Sequence, residues 1–243
     1  MTDKPLIITQ PSIYEHVKFQ GYMDNNIRRK FISKVYSILW TQLLFTSLFI
    51  SACHIISPLH SFMISDNSYM IFILNIYIIF IHLCFMMCNP HILRYNPYNW
   101  LNLIIFTGFL TYNIGFITSY YQTNILLLSG MSTLTIFSGL TIYSVQTKID
   151  YTVYGNALII GLLSLIAFGF MNIFLDIEFI NSIYSLLIVI IFSSFIVYDT
   201  QLIVNGKNNR YELSTHDYVM AAITLYLDII NIFVSFLDFL NGR

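Results

Sequence analysis

The sequence predicts an all-α integral membrane protein, a bundle of seven transmembrane helices, and three observations carry that expectation. Hydrophobic residues fill 57% of the 243 positions and charged residues only 9%, with a mean hydropathy of +0.71, far from the soluble norm. The apolar residues gather into seven runs, each near the ~20 residues needed to cross a hydrocarbon core. The connections are short and carry turn formers (Pro58, Asn89-Pro90, Asn96-Pro97, Asn205-Gly206), which leaves no room for a soluble domain.

Residues 1–30 are polar, with Pro5 and Pro11, and read as a short cytosolic tail ahead of a transmembrane domain over 31–243. No apolar core with a cleavage site follows Met1, so no removable signal peptide is expected. Arg28, Arg29, Lys30 and Lys34 then introduce the first run, 35–57. Such a cluster either sets membrane orientation or binds anionic lipid. The second run, 69–89, holds His82, Cys84 and Cys88. The two cysteines lie one helical turn apart with no evident third ligand, and apolar packing suits them better than metal or a disulfide. His82 either hydrogen-bonds within the bundle or relays protons.

The third and fourth runs, 100–120 and 124–145, and the fifth, 153–175, carry Gly108, Gly115, Gly130, Gly139, Gly155, Gly161 and Gly169. Glycines there permit close helix approach. The sixth run, 179–204, contains Ser185 and Asp199, and Gly206 marks its stop. Ser214 with Asp217 three residues on reads as a capping box opening the seventh run, 219–240. That run holds Asp228 and Asp238, so a re-entrant hairpin after six spans is an alternative to a full span. All eleven Lys and Arg except Arg243 fall on one side if the N-terminus is cytosolic, and the positive-inside rule orients the chain that way.

Ionisable residues at membrane depth are costly and mark function by default. Asp199 and Asp228 are the candidates. Thr224, Asp228, Asn231, Ser235 and Asp238 recur at spacings of four, three, four and three, one helix face that should line the interior. If the two carboxylates meet, a low-dielectric site lets them share a proton and lock the sixth helix on the seventh. The ionised pair would repel and offer oxygens to calcium, a hard cation. The alternative is that each Asp separately satisfies backbone or hydroxyl donors.

Three stretches carry a resemblance: IRRKFISKVYSILWTQLLFT from Ile27, GLTIYSVQTKIDYTVYG from Gly139, and YDTQ at Tyr198 followed by YELSTHDYVMAAITLYLDIIN from Tyr211. In this order the chain resembles the Bax-inhibitor/lifeguard membrane proteins, including their Golgi anti-apoptotic branch. The resemblance implies a seven-helix fold of the Bax-inhibitor type, with a buried aspartate pair at Asp199 and Asp228. It also implies a pH-dependent calcium leak from intracellular stores and protection against cell death. Departures exist. The Golgi branch carries a Glu where this chain has Leu110 and an acidic residue where it has Asn181, with Glu178 nearby. Bacterial relatives place an Arg on the second span, where this chain offers His82.

The leading expectation is a pH-sensitive calcium leak channel or cation transporter that suppresses apoptosis in Golgi or endoplasmic-reticulum membranes, with Asp199 and Asp228 as pH sensor and calcium ligands. Thr224, Asn231, Ser235, Asp238, His82 and Glu178 are secondary pore-lining candidates. Calcium is cargo here, and no cofactor is expected. The second is a non-conducting protein that binds cell-death regulators or host calcium channels. The abundance of Ile, Asn, Tyr and Phe is consistent with an AT-rich genome and a viral copy of a host suppressor. A net charge of −1 gives no reason to invoke nucleic acid. An intramembrane aspartyl protease would carry Gly-x-Gly-Asp where this chain has Leu225-Tyr226-Leu227-Asp228, so an enzyme is not expected. The N-in orientation and the lack of a Lys in the seventh run speak against a rhodopsin-like receptor.

Overall fold

The computed structural model describes residues 25–89, 94–175, 177–205 and 216–241. Most of the predicted N-terminal tail, Gly206, Ser214 and Arg243 lie outside them. Among the described residues seven helices are long and apolar enough to cross a membrane, and the protein is a multi-pass membrane protein. They are α1 (Asn25–Ile55), α2 (Asp66–Cys88), α3 (Tyr98–Thr118), α4 (Thr123–Gln146), α5 (Gly155–Leu175), α6 (Glu178–Asn205) and α7 (Tyr218–Asn241). In lipid every backbone polar group must be satisfied within the segment, so each apolar run folds as a helix.

α1 begins ten residues before the predicted apolar run. Its buried stripe, Phe31, Val35, Ile38, Leu39, Gln42, Thr46, Ile50 and Cys53, keeps helical period through the basic turns. At 31 residues it is about 46 Å long. A ~30 Å hydrocarbon core therefore leaves the turns carrying Arg28, Arg29 and Lys30 outside the apolar layer. After α1 the expected turn at Pro58 is instead a short helix, Ser57–Met63, with the proline in its first turn, where a missing N–H costs nothing. Ser65 then caps α2 by accepting the Ser68 N–H at 3.3 Å. Between α4 and α5, Asp150 accepts the Thr152 N–H at 3.0 Å and starts a 3₁₀ turn, Tyr151–Tyr154, that leads into α5.

α7 is one uninterrupted helix of 24 residues, about 36 Å, so the seventh run is a full span and not a hairpin. It is also the hub. Two thirds of its apolar window is buried in protein, against 6% for α5. It packs against α1, α3, α4 and α6, while α5 lies outside on α6. The small residues Ala221 and Ala222, 4% and 0% exposed, let neighbouring helices close in around it.

The glycines divide. A methyl added at Gly115 would lie 2.5 Å from the Phe49 ring, and one at Gly155 would lie 2.9 Å from Tyr198, so these two do mark close approaches. At Gly108 and Gly139 an added Cβ meets nothing within 4 Å, so the expectation of tight packing fails there.

Candidate functional site

Asp199 sits six residues before the end of α6, and Asp228 ten residues into α7. At 1.5 Å per residue these are depths of roughly 9 and 15 Å measured from the same end of the bundle. α7 begins at Tyr218, so the helix starts later than the predicted capping box required and the two depths draw closer. Asp217 precedes the first turn, and its backbone carbonyl accepts the Ala221 N–H at 3.0 Å.

The structure brings the two carboxyl groups within hydrogen-bonding reach of each other. Asp228 is 5% exposed and Asp199 half-buried. The Thr224 hydroxyl, one turn before Asp228, reaches both Asp199 and the Ala221 carbonyl, the latter at 3.1 Å. Asp228 Oδ2 is buried with no partner of its own. Two carboxyl oxygen pairs and a hydroxyl are too few for the six to eight ligands of a resident calcium. No group of three or more His, Cys, Asp or Glu side chains among the described residues is placed to hold a metal.

The rest of the predicted polar face does not join this cluster. Asn231 donates to the Leu227 carbonyl at 2.8 Å, and Ser235 to the Asn231 carbonyl at 2.8 Å, each satisfied on its own helix. Ser185 on α6 likewise donates to the Asn181 carbonyl at 3.1 Å. Asp238, at the opposite end of α7, accepts the Tyr121 hydroxyl. His82 stacks on Phe106 with ring centroids 6.0 Å apart and is not among the groups bonded to the aspartates. The side chain of Glu178 lies outside the described residues. Leu110 packs against the core, and Asn181 accepts the Asn172 amide at 2.6 Å.

Three connections were not anticipated. The first is a buried hydroxyl lattice joining α1, α3 and α7. Gln42 Nε2 donates to Thr107 Oγ1 at 2.8 Å, Thr46 pairs with Thr111 at 3.0 Å, and Thr46 meets the Tyr226 hydroxyl at 2.6 Å. Its signal in the sequence is a pair of polar residues four apart on each of two apolar helices. Tyr226 and Asp228 are two residues apart, roughly 200° around α7, so the hub is pinned on opposite faces. Tyr226→Phe should leave buried Thr hydroxyls short of a partner and cost about 1–2 kcal/mol. Thermal unfolding in detergent would show this as a lower midpoint.

The second connection is Gln201 of the YDTQ stretch. Its Oε1 accepts the Tyr151 N–H at 2.7 Å and its Nε2 donates to the Ile149 carbonyl at 2.8 Å, fastening the α4–α5 junction to α6. The third lies outside the spans, where Arg94 Nε donates to Asp217 Oδ1 at 2.6 Å and Nη2 to Oδ2 at 3.2 Å. Hydrogen bonding to that carboxylate raises the Arg94 pKa above its ordinary value. This cation lies in the α2–α3 connection, not on the second span.

Residues 28–243 match the family described as "Inhibitor of apoptosis-promoting Bax1". The chain is similar to protein lifeguard 3 of Homo sapiens, 30% identical over 229 residues that cover 90% of this chain and 71% of the relative. It is similar to protein lifeguard 4 of Mus musculus at 31% identity over 222 residues, covering 89% of this chain and 87% of the relative.

Proposed function

The chain belongs to the Bax-inhibitor/lifeguard family, and on that premise we propose that it suppresses cell death as a pH-sensitive calcium leak of secretory-pathway membranes, gated by Asp199 and Asp228. The single observation that carries the reading is the contact of two acids from different helices inside an apolar bundle. In such a site the pair shares one proton and bonds to itself, which holds α6 on α7. When the proton leaves, like charges face each other and the α6 side of the hub loosens. The opposite side stays fixed by Tyr226 and Thr46. The exposed oxygens then pass a hydrated calcium ion. Flux rises with pH on this mechanism.

The family is named for inhibiting a death promoter and not for a catalytic activity. One observation favours a second reading, binding of death regulators or host calcium channels without conduction: the acidic positions of the Golgi branch are occupied by Leu110 and Asn181, which are absorbed into packing and an amide pair.

Calcium efflux from proteoliposomes holding the purified chain separates the two. Conduction predicts efflux above that of empty liposomes, greater at about pH 8 than at about pH 5, because the shared proton is lost as pH rises. Efflux equal to empty liposomes at every pH removes the channel reading. In that case death protection should fail when the 207–217 connection is replaced.

A further inference from the structure

A groove of about 550 Å³ runs between α1 and α3, and neither aspartate lines it. Ile38, Phe45, Leu103 and Ile104 form much of its wall, Lys34 and Trp100 stand at one end, and Gly108 lines it deeper in. Phe45 and Ile104 are 52% and 66% exposed, so the groove opens sideways to the surrounding lipid. From Lys34 to Phe45 it follows eleven residues of α1, about 16 Å. That is close to half of a ~30 Å hydrocarbon core, the depth of one leaflet.

The lysine end lies at the bundle face where α1, α3 and α7 begin. Lys34 Nζ stands 3.3 Å from the centre of the Tyr218 ring, and Asn99 Nδ2 donates to the Tyr218 hydroxyl at 2.7 Å. A ring attracts the ammonium without neutralising it. Lys30, exposed one turn before Lys34, adds a second positive charge on the same helix face. No carboxylate among the described residues pairs with either lysine. Trp100 beside them has the amphipathic ring that sits at headgroup level.

We propose that this groove is a binding site for an anionic phospholipid, which lays one acyl chain between α1 and α3 and places its phosphate on Lys34 and Lys30. The apolar walls, the leaflet-deep length and a charge at the headgroup end that no carboxylate among the described residues pairs with fit that molecule. A zwitterionic lipid fits the walls but gains less from the lysines. Gly108 supplies the depth: an added Cβ would meet no protein atom within 4 Å, so a side chain there would occupy the space of the lipid chain.

The chain has two tryptophans, so Trp40→Phe leaves Trp100 as the sole reporter. This variant would be reconstituted in dioleoylphosphatidylcholine vesicles with phosphatidylserine or phosphatidylcholine brominated in the acyl chain. Trp100 should be quenched at about fivefold lower mole fraction by the serine lipid, given the attraction of lysines near the surface to anionic headgroups. Lys30→Gln with Lys34→Gln should erase that preference. Gly108→Leu should weaken quenching by both lipids while circular dichroism and the melting midpoint stay unchanged. Equal quenching by the two lipids with both lysines present would overturn the proposal, as would wild-type quenching in Gly108→Leu.

Discussion

Asp228→Asn and Asp199→Asn should each flatten the pH response of calcium efflux, with flux at alkaline pH falling to the level of the closed protein. The amide donates a hydrogen bond to the remaining carboxylate whether or not a proton is available. The α6–α7 contact is then held at every pH, where the wild type relies on a titrating proton. A bias of about 1.4 kcal/mol between held and released states corresponds to about tenfold in population. The wild type should therefore change about tenfold across the titration and each variant by less than about twofold. Proteoliposome flux at matched protein density measures this directly. A pH profile unchanged in both variants would remove the latch, leaving the family assignment and the fold untouched. Asn is the appropriate replacement because Ala would leave one buried carboxylate unpaired and confuse gating with folding.

The largest effect on stability is expected at Gln201, which is 2% exposed and serves two backbone groups of the α4–α5 junction. Gln201→Leu keeps similar bulk but leaves the Tyr151 N–H and the Ile149 carbonyl without this partner. The loss should be about 2–4 kcal/mol, since each buried unsatisfied group costs ~1–3 kcal/mol. For a chain of this size that corresponds to a fall of roughly 5–12 °C in the melting midpoint. Gln201→Glu retains the acceptor for Tyr151 and should lie between the two. A midpoint for Gln201→Leu within about 1 °C of wild type would mean that Tyr198 packed on Gly155 already holds the junction.

The helix count was readable because a bilayer gives the backbone one economical choice, and seven apolar runs state it seven times. Helix ends were less readable. α1 continues through its basic turns because Phe31 and Val35 keep their core contacts, a packing effect that hydropathy does not register. The aspartate contact was anticipated since an acid in an apolar run needs a partner, and only two such runs hold one at depth. The hydroxyl lattice was not. A Thr or Ser in a helix can always bond its own preceding turn, as Ser235 does, so residue type alone does not reveal that Thr46 reaches across to Thr111 and Tyr226. The polar stripe of α7 pointed to an interior helix, yet Asn231 and Ser235 spend their donors locally and only Thr224 and Asp228 meet another helix.

The helix around which the others gather, α7, follows α1–α6 along the chain. Until it emerges, α1, α3, α4 and α6 have no common surface to close upon, and Asp199 waits in the membrane without its neighbour. The earlier spans therefore sit loosely lodged in lipid at that stage, with the lone acid carrying the cost of an unpaired ionisable group at membrane depth. Insertion of α7 would give those helices the surface they share and Asp199 its neighbour in one step.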